Sequence, residues 1–181
     1  MKKRLFILMI ITTFMLCQCN VYRKNYKAFT HPIDTNHISI YKKPYVLYKY
    51  ISADPNEGGG WIVKIKNKQD DFFKVDILEF KFRNIWIKVG DLGLILQNYD
   101  SLKIPIYTMP DTSSNIITYV YNSYIGILYD IHKDFALLEL YDYDYDESTG
   151  YIGEYYVITK GWVEFKHLCD NQYTTCTGLH K

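Results

Sequence analysis

Two cysteines near the carboxyl end of this 181-residue chain, Cys169 and Cys176, are residues whose types and spacing could do chemistry. With His167 and His180 they could offer two thiolates and two imidazoles to a tetrahedral zinc ion, although the spacing matches none of the usual ligand patterns. Free thiols and a disulfide are the other two interpretations. We favour the disulfide, since the amino terminus described below predicts export to an oxidising compartment. We therefore expect no metal and no other cofactor.

The second candidate is YDYDYDE at residues 141–147, where tyrosines alternate with acids. Carboxylates at positions one, three and five resemble the start of an EF-hand calcium loop, but Glu147 stands where that loop needs its glycine. Strict alternation predicts a strand with the tyrosines on one face and the aspartates on the other. A hairpin that turned within residues 146–150 would place Tyr145 opposite Tyr151.

This hairpin is the ligand site that the sequence predicts, unless its rings simply cover a neighbouring part of the fold. Tyrosine rings with free hydroxyls suit peptides and glycans, and the carboxylates favour a partner that carries an amine. The residues assigned to ligand binding are Tyr143, Tyr145, Tyr151, Asp142 and Asp144.

Motifs of the common enzyme families do not occur in the sequence. It contains no Gly-x-Ser-x-Gly elbow, no His-Glu-x-x-His helix and no phosphate-binding loop, and the triglycine at 58–60 lacks the lysine that such a loop requires. A thiol nucleophile at Cys169 next to His167 would be captured by Cys176. We therefore expect a protein that is not an enzyme.

Two parts of the chain match each other without gaps at an offset of 63 residues. Residues 61–65 align with 124–128, and the pair 71–72 aligns with 134–135. The repeat predicts that both segments fold as the same hairpin of two alternating strands.

A tryptophan follows in each copy, Trp86 in WIKVGDL and Trp162 in GWVEFKHL, at an offset of 76. The 13 additional residues lie within 141–160 and lengthen the hairpin of the second copy. Because the other matched positions are apolar, we expect both tryptophans to be structural core residues rather than ligand platforms. Upstream, the strand after Pro44 resembles the strand around Pro105.

The composition favours strands, with 19 tyrosines and 17% aromatic residues. Short alternating strands with frequent turns predict an all-β fold of two small β-barrels in tandem, which would hide their apolar edges. The predicted domains are residues 41–95 and 101–168, preceded by a polar tether at 19–40 and followed by a tail at 169–181 that carries the disulfide.

The amino terminus predicts export. Three cations at residues 2–4 precede an uncharged run from Leu5 to Leu16, which is too short to cross a bilayer and is typical of a signal peptide. Leu16 stands three residues before Cys19, the spacing of a lipoprotein signal, although Gln18 replaces the usual small residue. We expect a signal peptide at 1–18 and a lipid-anchored Cys19 as the mature amino terminus, with Cys17 as the weaker alternative.

The repeated elements resemble the bacterial SH3-like (SH3b) domains, which often occur in tandem on exported, lipid-anchored envelope proteins. The matching elements are the strand 104–107 followed by Pro110, the strands 124–130 and 134–140, and Gly161-Trp162-Val163. The resemblance implies two SH3-like barrels in a non-catalytic module of the cell envelope. It implies a peptide-like ligand, either a peptidoglycan stem peptide or another envelope protein.

A structural or assembly subunit of an envelope complex is the alternative function. The formal net charge of +1 gives no reason to expect nucleic acid as a partner. The expected membrane contact is the lipid anchor alone.

Overall fold

A computed structural model of the protein describes residues 21–31, 37–52, 60–98, 102–146 and 151–169, with the backbone alone at 21–25, 143–146 and 151–154. These residues form an all-β fold with a single 3-10 turn at Phe165–His167. The all-β class that the sequence predicts is therefore confirmed. Within the described ranges, no helix has the length and apolar character needed to span a membrane.

The described residues form thirteen strands. They are β1 Val21–Thr30, β2 His37–Lys43, β3 Val46–Ser52, β4 Ile62–Gln69, β5 Phe72–Ile77, β6 Ile85–Lys88, β7 Leu92–Leu96, β8 Ile104–Tyr107, β9 Ile116–Val120, β10 Tyr124–His132, β11 Phe135–Asp146, β12 Tyr151–Glu164 and β13 Leu168–Cys169.

The strands join into one antiparallel sheet whose order repeats itself as a mirror image. From one end to the other it runs β3-β2-β6-β5-β4-β1 and then β7-β10-β11-β12-β8-β9, with β13 added beside β7. Strands β1–β6 therefore form a first unit and strands β7–β12 a second unit with the same internal order. The two units meet where β1 pairs with β7.

The hairpins β4–β5 and β10–β11 obey the offset of 63 residues that the sequence predicts. Ile65 lies opposite Val75 and Leu128 opposite Leu138, and both strands contain a one-residue bulge directly afterwards, at Lys66 and Tyr129. The tight turns also match, with positive φ angles of 50° at Asp70 and 51° at Lys133. The repeat thus extends to the bulge and the turn conformation.

The strands that contain Trp86 and Trp162 match at the second predicted offset, 76 residues. Trp86 of β6 lies opposite Lys74, and Trp162 of β12 lies opposite Leu137, which is the counterpart of Lys74. The additional residues lengthen β11 and β12 beyond β5 and β6, as the sequence predicts.

Two predicted boundaries and one predicted match within the repeat differ from the structure. Residues 21–30, placed in the tether, form β1, where Tyr26, Ala28 and Thr30 are buried between β4 and β7. Strand β7, counted in the first predicted domain, is the first strand of the second unit. Pro44 lies in the turn after β2, whereas Pro105 lies inside β8, so these prolines are not counterparts.

The two predicted barrels are not confirmed. The described pairings form one continuous sheet, in which β3 and β9 are the terminal strands and neither unit closes on itself. One apolar cluster includes side chains from both units, such as Phe73 and Ile87 of the first and Leu138 and Val163 of the second. The units therefore share a core.

Polar and aromatic contacts reinforce the junction. Lys68 of β4 lies 3.1 Å from the carboxylate of Asp130 in β10. The Tyr26 ring stacks on Phe165 with a centroid distance of 4.7 Å, and the Tyr26 hydroxyl donates a hydrogen bond to the carbonyl of Lys133. The hairpin of the second unit and the 3-10 turn thus hold β1 against the sheet.

Asp91, in the turn between β6 and β7, gives a prediction for pH dependence. Burial raises its pKa from 3.8 to about 6, against a smaller lowering effect of Lys88. Folding therefore favours the protonated Asp91 carboxyl. The contribution of Asp91 to stability is complete below pH 3.8 and is lost as the pH rises through about 6.

We expect Asp91→Asn to stabilise the protein at pH 8 by about 1–3 kcal/mol and to have little effect at pH 4, because asparagine is neutral at both. Urea unfolding of both proteins at the two pH values checks this. A gain of the same size at pH 4 and pH 8 would contradict the assignment to the Asp91 carboxyl.

Candidate functional site

The end of the sheet formed by β3 exposes an unusual number of large apolar side chains. The exposed fractions are 70% for Tyr45, 51% for Val46, 45% for Leu47, 48% for Tyr48 and 63% for Tyr50. Soluble proteins seldom leave such a patch uncovered unless it is an interaction surface. We call these five residues together with Lys42, Lys43 and Lys49 the β3 surface.

The turn that leads into β3 positions Tyr45 at the start of the β3 surface. Pro44 and Tyr45 connect β2 to β3, and Tyr45 has a positive φ of 65°, a conformation that non-glycine residues seldom adopt. Its ring packs edge-on against Phe72 at a centroid distance of 5.0 Å. The turn is therefore held in place although Tyr45 is largely exposed.

Lysines flank one aromatic ring of the β3 surface and the ring of Phe82 beside it. The Lys42 Nζ lies 4.7 Å from the centroid of the Tyr48 ring, and the Lys49 Nζ lies 4.3 Å from that of Phe82. Lys42, Lys43 and Lys49 are exposed and form no ion pair with any residue that the structure describes. The β3 surface is thus both aromatic and positively charged.

The two units differ strongly in charge. Residues 21–91 contain 13 lysines and arginines against 8 acidic residues, whereas residues 92–169 contain 4 against 11. The predicted domains show the same difference, since residues 41–95 contain 10 basic and 7 acidic residues and residues 101–168 contain 4 and 10. It is the sequence signal that could have indicated the β3 surface in advance.

The opposite end of the sheet, at β9, is apolar but nearly uncharged. Ile117, Tyr119 and Tyr121 have exposed fractions of 47%, 37% and 52%. Strands β8 and β9 contain no charged residue, and the Nζ of Lys103, the residue before β8, lies 3.9 Å from the Tyr119 ring centroid. The repeat therefore supplies a neutral counterpart to the β3 surface.

An acidic side chain occupies the same place on β5 and β11. In the first unit the Asp76 carboxylate lies 2.8 Å from Lys66 Nζ and accepts a hydrogen bond from the Asn84 N–H. Burial alone would raise the pKa of Asp76, but the Lys66 ammonium and the Asn84 N–H lower it below its ordinary value. Asp76 is charged at neutral pH and its bonds stay within the unit.

The second unit has Glu139 at the same position. Its carboxylate accepts hydrogen bonds from the hydroxyls of Tyr129 and Tyr141, and Lys160 Nζ lies 3.6 Å away. Burial and the bond to Glu139 raise the pKa of Tyr129 to about 12. Tyr129 is therefore protonated at neutral pH, and the cluster fastens β10, β11 and β12 together.

The predicted core tryptophans have different surroundings. Trp86 is 8% exposed, and the Lys74 Nζ lies 5.8 Å from its ring centroid. Trp162 is half-buried and lies opposite Leu137 on one side and Tyr107 on the other. Trp86 is therefore more deeply buried than Trp162 and is the clearer core residue of the two.

The predicted hairpin exists, but its register differs from the prediction. Tyr145 lies opposite Ile152 rather than Tyr151, because bulges interrupt the pairing of β11 and β12; Tyr151 lies opposite Asp146, and Tyr143 opposite Tyr155. A sequence without an obvious bulge residue gives no means of placing such shifts.

Side chains at the tip of this hairpin, including Tyr143, Tyr145, Tyr151 and Asp144, lie outside the described ones. Asp142 is half-buried. On the return strand, Tyr155 and Val157 are 48% and 53% exposed. The hairpin thus remains a predicted ligand surface.

Of the cysteines with predicted roles, Cys169 alone lies in the part of the chain that the structure describes. Cys169 is buried in β13, opposite Ile95, whereas Cys176, His180 and the predicted lipidation site Cys19 lie outside the described residues. The disulfide between Cys169 and Cys176 therefore stays a prediction. No group of three metal-ligating side chains occurs in the part of the chain that the structure describes.

No family model matches the chain, and no curated protein matches it. Among solved structures it is similar to NlpC2 from Trichomonas vaginalis, with 17% identity, a TM-score of 0.31, and coverage of 82% of this chain and 49% of that one. It is also similar to NlpC1 from the same organism, with 18% identity, a TM-score of 0.32, and coverage of 84% of this chain and 47% of that one. This chain therefore spans about half the length of these two proteins.

Proposed function

We propose that this protein is a non-catalytic binding module of the bacterial cell envelope, built from two SH3-like units and anchored to the membrane through Cys19. Its ligand is peptide-like, either a peptidoglycan stem peptide or a segment of another envelope protein. Cys169 and Cys176 form a disulfide after export.

The β3 surface is the observation that supports this proposal most. Tyrosine side chains lose little conformational freedom on contact and offer both a ring face and a hydroxyl, so exposed tyrosines are well suited to recognition. Tyr48 and Tyr50 lie on a terminal strand, which is the kind of place where sheets receive extended peptides. The predicted surface on the long hairpin, around Tyr143, Tyr145 and Tyr151, remains a second place for ligand contact.

The test is a pull-down from envelope extract with a soluble chain that starts at residue 20. Tyr48→Ser combined with Tyr50→Ser should reduce ligand recovery by about tenfold, the loss expected from two exposed aromatic contacts. Tyr119→Ser combined with Tyr121→Ser is the matched control, because it removes two exposed tyrosines from the other end of the sheet. Equal recovery with both double variants and the unmodified chain would contradict the proposal.

One observation favours the alternative, an assembly subunit. The β9 end is apolar and its two strands are uncharged, and such an edge pairs readily with another chain. Sedimentation at micromolar concentration distinguishes the two functions. A binding module stays monomeric, whereas an assembly subunit forms an oligomer that Tyr119→Ser with Tyr121→Ser dissociates.

A further inference from the structure

The outer edge of β3 has the geometry of a site for one more strand. Its inner edge pairs with β2 in antiparallel register, from His37 opposite Ser52 to Lys43 opposite Val46. No strand of the described ranges pairs with the outer edge. In such a terminal strand the outward N–H and C=O groups of alternate residues are available to an incoming extended peptide.

Aromatic rings and ammonium groups lie together beside this edge. The Lys42 Nζ stands over the Tyr48 ring, and the Lys49 Nζ lies 4.3 Å from the Phe82 centroid and 6.0 Å from the Tyr48 centroid. The pairing of β2 with β3 skips Tyr48, which is therefore a bulge that interrupts the alternation of side chains along β3. A strand added here would meet aromatic surface and positive charge beside it.

The positive charge at this end of the sheet favours a partner with acidic side chains. Strands β2, β3 and β6, which form this end of the sheet, contain four lysines and no acidic residue. By contrast, Lys66, Lys68, Lys160 and Lys166 elsewhere lie 2.7–3.6 Å from a carboxylate oxygen. Carboxylates on an incoming strand would supply the opposite charges that Lys42, Lys43 and Lys49 lack among the described residues.

The same lysines disfavour a second β3 edge as the occupant. Pairing two copies through β3 would bring their lysines together, and like charges on facing strands are destabilising. The neutral strands β8 and β9 show that the repeat does not require lysine on a terminal strand.

We propose that the outer edge of β3 binds an extended, carboxylate-rich peptide as an added antiparallel or parallel strand. This inference rests on the proposed binding function and names its ligand class. Backbone hydrogen bonds to β3 provide the affinity, and Lys42, Lys43 and Lys49 provide the preference for acidic side chains.

The experiment is a fluorescence titration of the soluble chain from residue 20 with three synthetic peptides. The first alternates glutamate and valine, the second alternates lysine and valine, and the third is the glutamate peptide with alternate backbone nitrogens methylated. The glutamate peptide should bind, and more weakly as salt increases. The lysine peptide should not bind, and the methylated peptide should bind at least about tenfold more weakly because it cannot pair with a strand.

Two charge-matched variants locate the site. Lys42→Gln with Lys43→Gln and Lys49→Gln should weaken glutamate-peptide binding by about tenfold. The control, Lys81→Gln with Lys103→Gln and Lys133→Gln, removes three exposed lysines elsewhere and should change the Kd less than about twofold. Equal weakening in both variants would overturn the inference, as would tight binding of the methylated peptide.

Two further outcomes separate this inference from the proposed function. If the Lys42, Lys43 and Lys49 variant still recovers the envelope ligand while the Tyr48 and Tyr50 variant does not, the binding function stands and the acidic-strand inference fails. If the unmodified chain dimerises and only the lysine variant is monomeric, the occupant is the acid-rich second unit of another copy, and the inference also fails.

Discussion

Replacing Gly60 with alanine is expected to destabilise the protein strongly. A Cβ atom at this position would lie 1.8 Å from the carbonyl oxygen of Thr30 and 2.9 Å from its nitrogen. The clash is with backbone, so no side-chain rotation relieves it. Thr30 is buried, and its N–H bonds the Trp61 carbonyl at 2.9 Å while its hydroxyl accepts the Trp61 N–H at 2.7 Å.

We therefore expect Gly60→Ala to cost more than about 4 kcal/mol, a large part of the stability of an ordinary domain. Urea unfolding followed by circular dichroism measures the loss. Gly126→Ala is the control, since a Cβ there would meet only leucine side-chain atoms at 3.0 Å or more, and we expect it to cost less than about 2 kcal/mol. A Gly60→Ala protein as stable as the Gly126→Ala protein would contradict the close approach of Gly60 to β1.

The second large effect concerns the tryptophans. Trp86 is 8% exposed, so Trp86→Ala should destabilise the protein by about 3–5 kcal/mol, the usual cost of emptying a large buried aromatic site. Trp162 is half-buried, and Trp162→Ala should cost about half as much.

Denaturant unfolding of the two variants gives both values. If Trp162→Ala leaves the unfolding midpoint unchanged but abolishes ligand binding, Trp162 faces a ligand and its assignment to the core is wrong. If Trp86→Ala is neutral, the packing described for β6 is wrong.

The repeated hairpins were predictable because everything that defines them is local. Apolar residues alternate along β4 and β10, the turns occur at the same offset, and each tryptophan pairs with the strand that precedes its own. Strand β1 was missed because its partners are remote: Phe29 pairs with Ile62 on one side and with Gly93 on the other. Its polar residues, such as Lys24 and Asn25, concealed the alternation of Tyr26, Ala28 and Thr30.

The candidate site was the least predictable part. Tyr48 and Tyr50 look like ordinary strand residues in the sequence, and only the sheet order makes β3 a terminal strand. The charge difference between the two halves is visible in the sequence, but the sequence does not show that Lys42, Lys43 and Lys49 lie at an end of the sheet. The YDYDYDE run is conspicuous in sequence, yet bulges in β11 and β12 changed the cross-strand pairs that its alternation predicts.

Photo-crosslinking tests the central claim, that the β3 surface binds an envelope ligand, most directly. The photoreactive residue p-benzoylphenylalanine would replace Tyr48, Tyr121 or Tyr155 in three separate proteins, chosen because the native side chains are similarly exposed at 48%, 52% and 48%. Each protein is irradiated in envelope extract with and without the glutamate-valine peptide as competitor. We predict a specific adduct from position 48 that the competitor suppresses, and none from position 121. Adducts from position 121 or 155 with none from position 48 would contradict the account.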